Sequence, residues 1–515
     1  MEITTSYLAQ KIEGKLFGHD KKITGIFNFL GDAKHGDAVV RHWINEQGIE
    51  IAVEKGVSCI ITQNPHGKAV ETAEKLGLPV IVTERIELAN AFAIEWAVKR
   101  FAADALRIVV TGTNGKSTTT HMIHKIFEDA GYNTYTNTDP QSEFNTLIDP
   151  RVAKQITEFP GKIEAMVVEV SEVQGWLDKL MKDHARIMTS AVDPGVVVLT
   201  NVSLDHIGLV NSLEEAFHEI SGAMKAINSD SNTHEKTFAV LNKEDPLISK
   251  MAKLKGSETD VIFYGATDPS SRVCNPEKSP ECDGKVKGEL EEDDGKFEVK
   301  MGPDGITFNG DVVVPMEKIP FKSRHFLQNT MAAVGAALAV GIPKEIIAKS
   351  VSSYTPLKRR FSVLHEHPTI IDDFAHNPDG IMATIKSTAE SLTNNGQLYI
   401  VSAIRGSRGE AINSANAQAI ADGFEGLESK GDLKGALIVT SSSDVVDENN
   451  TVKPHEKAVF LEKLEKRGLK YKFHEKLQTA VETVLKSAKP NDTILLIGAQ
   501  GMDPVSDLLN ELLNE

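Results

Sequence analysis

The chain has 515 residues, of which 41% are apolar and 25% charged, with a formal net charge of -17. That length can bury several cores and suggests roughly three or four domains, while an acidic surface without a basic patch argues against a nucleic-acid partner. Three cysteines, Cys59, Cys274 and Cys282, are too few for a secreted disulfide framework; Met1 to Lys11 lack the basic and apolar runs of a signal peptide; no segment approaches the roughly 20 apolar residues of a membrane span. A soluble, cytoplasmic, monomeric enzyme with no membrane partner is the expectation.

Residues 1–104 read as a small N-terminal α/β domain, with strands Cys59 to Thr62 and Pro79 to Val82 around a helical stretch at Val70 to Leu76. From 105 to 355 the pattern changes to continuous apolar strands, Ile108 to Val110, Met166 to Val168 and Val196 to Leu199. Runs without polar alternation suit a mostly parallel sheet covered on both faces, so this section is expected to be a doubly wound α/β domain. Near 265–322 it is interrupted by Gly, Pro, Asp and Glu around short alternating pieces, read as an antiparallel excursion at the sheet's edge with an acidic turn at Glu289 to Gly295. Cys274 and Cys282 lie there, and two cysteines fall short of the roughly four ligands a structural metal needs. A helix at Phe326 to Val340 follows, ending at Gly341 ahead of Pro343. Residues 356–515 repeat the α/β pattern in Rossmann-like form, with strands at Ile370, Leu398, Ala436 and Ile494.

The strongest chemical signal is Thr111-Gly112-Thr113-Asn114-Gly115-Lys116-Ser117-Thr118, which follows an apolar strand and opens a helix carrying Met122, Ile123, Ile126 and Phe127. Strand, glycine turn and helix stand in the order of a phosphate loop. Its glycines let backbone N–H groups approach phosphate oxygens, the helix N-terminus adds positive potential, Lys116 can reach the outer phosphates, and the Ser117 hydroxyl can ligate Mg²⁺. Val110 occupies the place of the usual first glycine. Two strand ends add candidate metal ligands, Glu169 after Met166 to Val168, and Asp205 with His206 after Val196 to Asn201. In an open α/β sheet such ends face the ligand crevice, and Mg²⁺ accepts a few carboxylates together with phosphate oxygens.

With these residues in place, the chain resembles the Mur ligase family, above all its murein tripeptide and pentapeptide ligases. Four separated segments carry the likeness. The loop Thr111 to Thr118 has the family's T-G-T-N-G-K-S-T form; Glu169-Val170-Ser171 looks like its E-x-S segment; Thr200 to His206 is similar to its T-N-x-x-x-D-H strand end; Arg360 with Asp373 to Asp379 resembles its G-R-x-E and D-Y-A-H-x-P-D pair. The resemblance implies an ATP- and Mg²⁺-dependent ligase that activates a carboxylate as an acyl phosphate and joins it to an amine. It further implies that Lys116 holds the γ-phosphate, that Ser117 and Glu169 bind one Mg²⁺, and that His206 helps bind a second. By the same likeness Asn329 contacts adenine, Asp373 the ribose and Arg360 the phosphates. His376 then lines the nucleotide site, and the third domain closes over the middle one. Arg408, with Arg405 after the Leu398 strand, falls where the family keeps a basic residue near the transferred phosphate or the acceptor.

The chain also departs from the pattern. The family carries a lysine about 15 residues beyond the D-H pair whose carbamate holds the second metal; here the region reads Phe217-His218-Glu219-Ile220-Ser221, with Lys225 next. Lys225, His218 or Glu219 takes that place, or the carbamate is absent; replacement or absence is favoured. The D-N-P-R motif of diaminopimelate-adding members is missing, since the comparable stretch is Ser441 to Val446. These differences look like the divergent archaeal ligases of pseudomurein peptides, with a nucleotide-linked (UDP) peptide and an amino acid as substrates. Ligases of the same core that act on folylpolyglutamate, cyanophycin or tetrapyrrole carboxylates are the alternative, although the N-terminal section favours a Mur-type member over the folate enzyme; a nucleotide-driven switch is the more distant one.

Overall fold

The computed structural model describes residues 3–138, 150–176, 179–204, 209–266, 297–320, 323–390, 392, 396–428 and 435–514. Asp205, His206, Cys274, Cys282 and the Glu289 to Gly295 turn lie outside them. The chain divides near residue 355 into two compact units.

The first unit holds two main sheets. The N-terminal sheet has the order Lys15–Phe17, Val80–Val82, Cys59–Pro65, Ala38–Ile44, Phe27–Asn28, parallel except at its first strand. The second is nine-stranded: Asp311–Pro315, Gly305–Phe308, Phe297–Gly302, Thr259–Ala266, Thr237–Asn242, Val196–Leu199, Leu106–Thr111, Ala165–Glu169, Thr134–Thr136. Leu106–Thr111 lies between Val196–Leu199 and Ala165–Glu169, with Glu169 opposite Val110 and Leu199 opposite Thr111. The C-terminal ends of these three parallel strands therefore line up, which is where the phosphate loop and Glu169 emerge. Their side chains are buried on both faces, as the apolar runs require.

The edge differs from the expected antiparallel excursion. Phe297–Gly302 still pairs parallel to Thr259–Ala266, and antiparallel pairing begins only with Gly305–Phe308 and Asp311–Pro315. The chain between Ala266 and Phe297 is long enough for the crossover that parallel pairing demands. Helix Ile86–Phe101 belongs by position to the first section. Its Ile86, Ala89, Ala93, Ile94, Ala97 and Val98 join one hydrophobic core with Val109, Met166, Met188 and Val197 of the central region. Its low amphipathicity in sequence follows: it is apolar on more than one side because it packs on the N-terminal sheet and against helices Arg151–Thr157 and His184–Val192 of the central region.

The second unit is a six-stranded sheet in the order Ser362–Glu366, Thr369–Asp373, Thr493–Ile497, Leu398–Ala403, Gly435–Thr440, Tyr471–His474, parallel but for its first strand. Alternate residues of Leu398–Ala403 feed separate cores on its two faces, Leu398 and Ile400 on one side and Tyr399 and Val401 on the other. It has the Rossmann-like layering expected for residues 356–515.

Candidate active site

Gly112 and Gly115 adopt φ of 123° and 85°, a region costly for any residue with a Cβ. Space forbids a side chain too: a Cβ on Gly112 would lie 2.2 Å from Thr200 Oγ1, and one on Gly115 2.3 Å from Asn329 Oδ1. Between them the loop is braced by the neighbouring strand end. Thr113 N–H donates to the Asn201 carbonyl and Asn114 N–H to Asn201 Oδ1, both at 2.9 Å, while Asn201 Nδ2 returns a bond to the Asn114 carbonyl. Ser203 N–H donates to Thr113 Oγ1 at 3.0 Å. Sequence reading offered the loop amides to phosphate; two of them instead hold the loop's shape through Asn201, a residue whose role the sequence did not disclose. The first turn of helix Lys116–Asp129 keeps N–H groups that precede the intrahelical ladder. Ser117 and Thr118 are buried in that turn.

Ser117 Oγ donates to Glu169 Oε1 at 3.2 Å, so the hydroxyl and the strand-end carboxylate meet next to the loop. A hydroxyl and a carboxylate converging beside the glycine turn fit the hard, oxygen-only preference of Mg²⁺. Asn137 fixes Glu169 by its backbone, its amide bonding Glu169 N–H and C=O at 2.8 and 2.9 Å. Lys116 turns back on its own loop: Nζ donates to the carbonyls of Gly112 at 2.7 Å and Thr113 at 2.9 Å, and to Glu172 Oε2 at 2.7 Å. Glu172 was not singled out from the sequence, because a glutamate three residues past a strand end carries no mark of its partner.

Of the groups considered for the carbamate position, His218 and Lys225 are exposed. Glu219 is buried, and burial first, then Asp183, raises its carboxyl pKa against the N–H groups of Asp183 and His184 that it accepts from. It thereby sits at the N-terminus of helix His184–Val192.

In the second unit Asp373 is half-buried and serves as a clamp: it accepts from Phe361 N–H at 2.8 Å, Ala375 N–H at 2.9 Å and Thr384 Oγ1 at 3.1 Å. The Arg360 guanidinium lies 4.9 Å from the Phe374 ring centroid, and His376 packs edge-on to the same ring. Arg360 and His376 thus meet at Phe374, the residue next to Asp373 in the chain. Its neighbour Arg359, missed in the sequence, is buried at φ 61° and reaches Asp372, Asp503 and the Ala499 carbonyl. Burial pushes the Asp372 carboxyl up to about 6 against the pull of Arg359.

Arg408 is exposed on the loop after Leu398–Ala403. The loop itself is rigidly held: buried Glu456 accepts from the N–H groups of Ser407, Arg408, Gly409 and Lys453 at 2.6 to 3.0 Å. Asn413 bonds Arg405 and Gly409 from the other side. In place of D-N-P-R, Ser441 bonds Glu475 and Asp444 caps helix Leu477–Ser487.

A strand, phosphate loop and helix beside a strand-end carboxylate, followed by a Rossmann-like unit, define a nucleotide-dependent enzyme class. Comparison with known proteins makes this specific. Residues 110–337 match the Mur ligase middle domain and residues 359–500 the Mur ligase glutamate ligase domain. The chain belongs to the Mur ligase family, a family of ATP-dependent amide ligases, and is an enzyme. Among its relatives, the UDP-N-acetylmuramoyl-L-alanyl-D-glutamate–2,6-diaminopimelate ligase of Bacillus licheniformis is 25% identical over 385 residues, covering 69% of this chain and 67% of that one. The UDP-N-acetylmuramate–L-alanine ligase of Aquifex aeolicus is 26% identical over 351 residues, 67% of this chain and 63% of that protein. The fold is shared with MurF of Acinetobacter baumannii, at TM-score 0.65 and 17% identity over 100% of this chain and 99% of that one. It is shared also with the MurF ligase of Thermotoga maritima in complex with ADP, at TM-score 0.62 and 14% identity over 96% and 99%. Among the described residues no helix is long and apolar enough to cross a membrane.

Proposed function

We propose that this enzyme adds an amino acid to a nucleotide-activated (UDP-linked) cell-wall peptide precursor, through an acyl phosphate, with ADP and phosphate as products. The observation that carries the reading is the meeting of Ser117 with Glu169 at a strand end, beside a loop on which Lys116 is folded back. In this reading the donor carboxylate attacks the γ-phosphorus of ATP, the bond to the β–γ bridging oxygen breaks, and ADP leaves. The acceptor amine then attacks the acyl carbon, the tetrahedral adduct expels phosphate, and the amine nitrogen gives up a proton. Two anions approach in the first step, so the barrier is set by charge, and positioned cations lower it. Lys116 supplies one such charge to the γ-phosphate, and the first-turn amides of its helix add their dipoles. Mg²⁺, held by Ser117 and Glu169, would neutralise the phosphate oxygens; His206, outside the described residues, is assigned to a second ion.

Gly112 to Thr118 shape the phosphate site, Asn329 the adenine end, and Arg360, Asp373 and His376 the remainder of the nucleotide contacts. Arg408, on its braced loop, is assigned to the transferred phosphate or the acceptor. Exposed Lys225 supports a replaced or missing carbamate. The missing D-N-P-R and the structural use of Asp444 support an acceptor other than diaminopimelate, as in archaeal ligases of pseudomurein peptides. The folded N-terminal sheet supports a UDP-linked donor over a folate-type one. The test is product formation by purified enzyme with ATP and Mg²⁺: ADP is expected only when a UDP-peptide and an amino acid are both present. Phosphate release at equal rates with and without them, or AMP as product, refutes the reading.

A further inference from the structure

The ammonium of Lys116 has three N–H bonds to give, and three acceptors stand around it: the carbonyls of Gly112 and Thr113 and the carboxylate of Glu172, at 2.7, 2.9 and 2.7 Å. The carbonyls belong to the loop itself. The carboxylate comes from elsewhere, three residues beyond Glu169, so one strand end sends one acid toward Ser117 and a second toward Lys116. The ion pair is shielded, with side-chain exposures of 14% for Lys116 and 3% for Glu172, and salt and water screen it little. Glu172 is also held in place: Val170 and Val173 on either side are buried, and the Ser171 carbonyl bonds His184 Nδ1 at 3.0 Å.

We propose that Glu172 is a positioning residue that occupies the γ-phosphate's place on Lys116 until ATP displaces it. The inference rests on the reading of 111–118 as the ATP loop. A phosphate oxygen and a carboxylate oxygen present the same negative acceptor, and one N–H cannot satisfy both. Of the three acceptors only Glu172 is an anion like the phosphate, so ATP takes its place rather than that of a loop carbonyl, and afterwards leaves a buried carboxylate close to its own negative charge. Both effects oppose binding, and both act only on a nucleotide whose outer phosphates reach Lys116. The loop lysine is kept ordered and neutralised in the nucleotide-free enzyme, and nucleotides lacking those phosphates gain nothing from it.

The experiment is calorimetric titration of the full-length wild type, Glu172→Gln and Glu172→Asp with Mg-ATP and with AMP, alongside thermal melting of each protein. Glutamine keeps the shape and removes the charge. Mg-ATP is expected to bind Glu172→Gln about five- to tenfold more tightly than wild type, the size of one partly buried charged contact, with AMP affinity unchanged. Glu172→Asp, which keeps the charge on a shorter arm, should stay within about twofold of wild type and serves as the folding control. Equal or weaker Mg-ATP binding by Glu172→Gln with a wild-type melting curve overturns the proposal, as does a parallel change for AMP. If Glu172→Gln does not fold, a Mg-ATP affinity of Glu172→Asp more than threefold weaker than wild type overturns it as well. A wild type that fails to bind Mg-ATP at all refutes instead the ATP-loop reading beneath it.

Discussion

At the scale of single residues, what a side chain touches decides what it can do. Lys116 is the group through which the proposed phosphate chemistry passes, and truncating it removes a charge that must face the developing negative charge. Lys116→Ala is expected to lower ADP formation by at least about 100-fold in a coupled assay, and to lower the urea midpoint as well because buried Glu172 loses its cation. Glu169 and Ser117 meet at 3.2 Å, so Glu169→Gln should raise the Mg²⁺ concentration needed for half-maximal turnover more than it raises KM for ATP; a shift confined to ATP would deny Glu169 its metal role. The buried thiol of Cys59, pushed up to about 12 by burial, is expected to be inert. In a Cys274→Ser, Cys282→Ser protein, an aromatic disulfide reagent should modify no thiol until denaturant is added.

At the scale of elements, loops here are held by side chains of their neighbours. The glycine turn depends on Gly115 at φ 85° with Asn329 Oδ1 against it. Gly115→Ala combines a forbidden conformation with a clash, and is expected to destabilise the fold by about 1 to 3 kcal/mol and to weaken nucleotide binding. The loop bearing Arg408 depends on Glu456, which accepts four backbone N–H groups. Burial alone would raise the pKa of Glu456, but the amides of Lys453, Gly409, Ser407 and Arg408 outweigh it and lower it. Glu456→Gln should therefore cost about 1 to 3 kcal/mol in urea unfolding, the usual penalty when buried donors lose their acceptor. An unchanged midpoint would show that the loop is held by Asn413 alone.

At the scale of the whole molecule, pH acts through groups buried in one protonation state. His121, on the phosphate-loop helix, has its pKa lowered to about 4 by burial, with smaller contributions from His124 and Lys125. Its unfolded value is near 6.5. Below that value the unfolded chain takes up a proton that the folded one refuses, so stability falls as pH drops from about 6.5 toward 4. His121→Gln, which keeps a partner for the Tyr354 hydroxyl now 3.1 Å from His121 Nδ1, should show a shallower decline in urea midpoint over that range; parallel declines would remove His121 as the cause.

What the amino-acid order determined by itself was the local grammar. Apolar runs such as Val196 to Leu199 require a sheet covered on both faces, and Thr111 to Thr118 specifies a strand, a glycine turn and a helix whatever lies around them, because φ/ψ limits and helix ends are short-range physics. The family motifs added roles that no periodicity contains. What only the tertiary structure decided was which distant groups share a hydrogen bond. Glu172 finds Lys116 56 positions away, Asn201 braces a loop 87 positions back, and helix Ile86–Phe101 shares one core with its own section and with the central region. These pairings follow from strand order and register, which bring chain-distant strand ends side by side, and no local pattern of residues encodes that order.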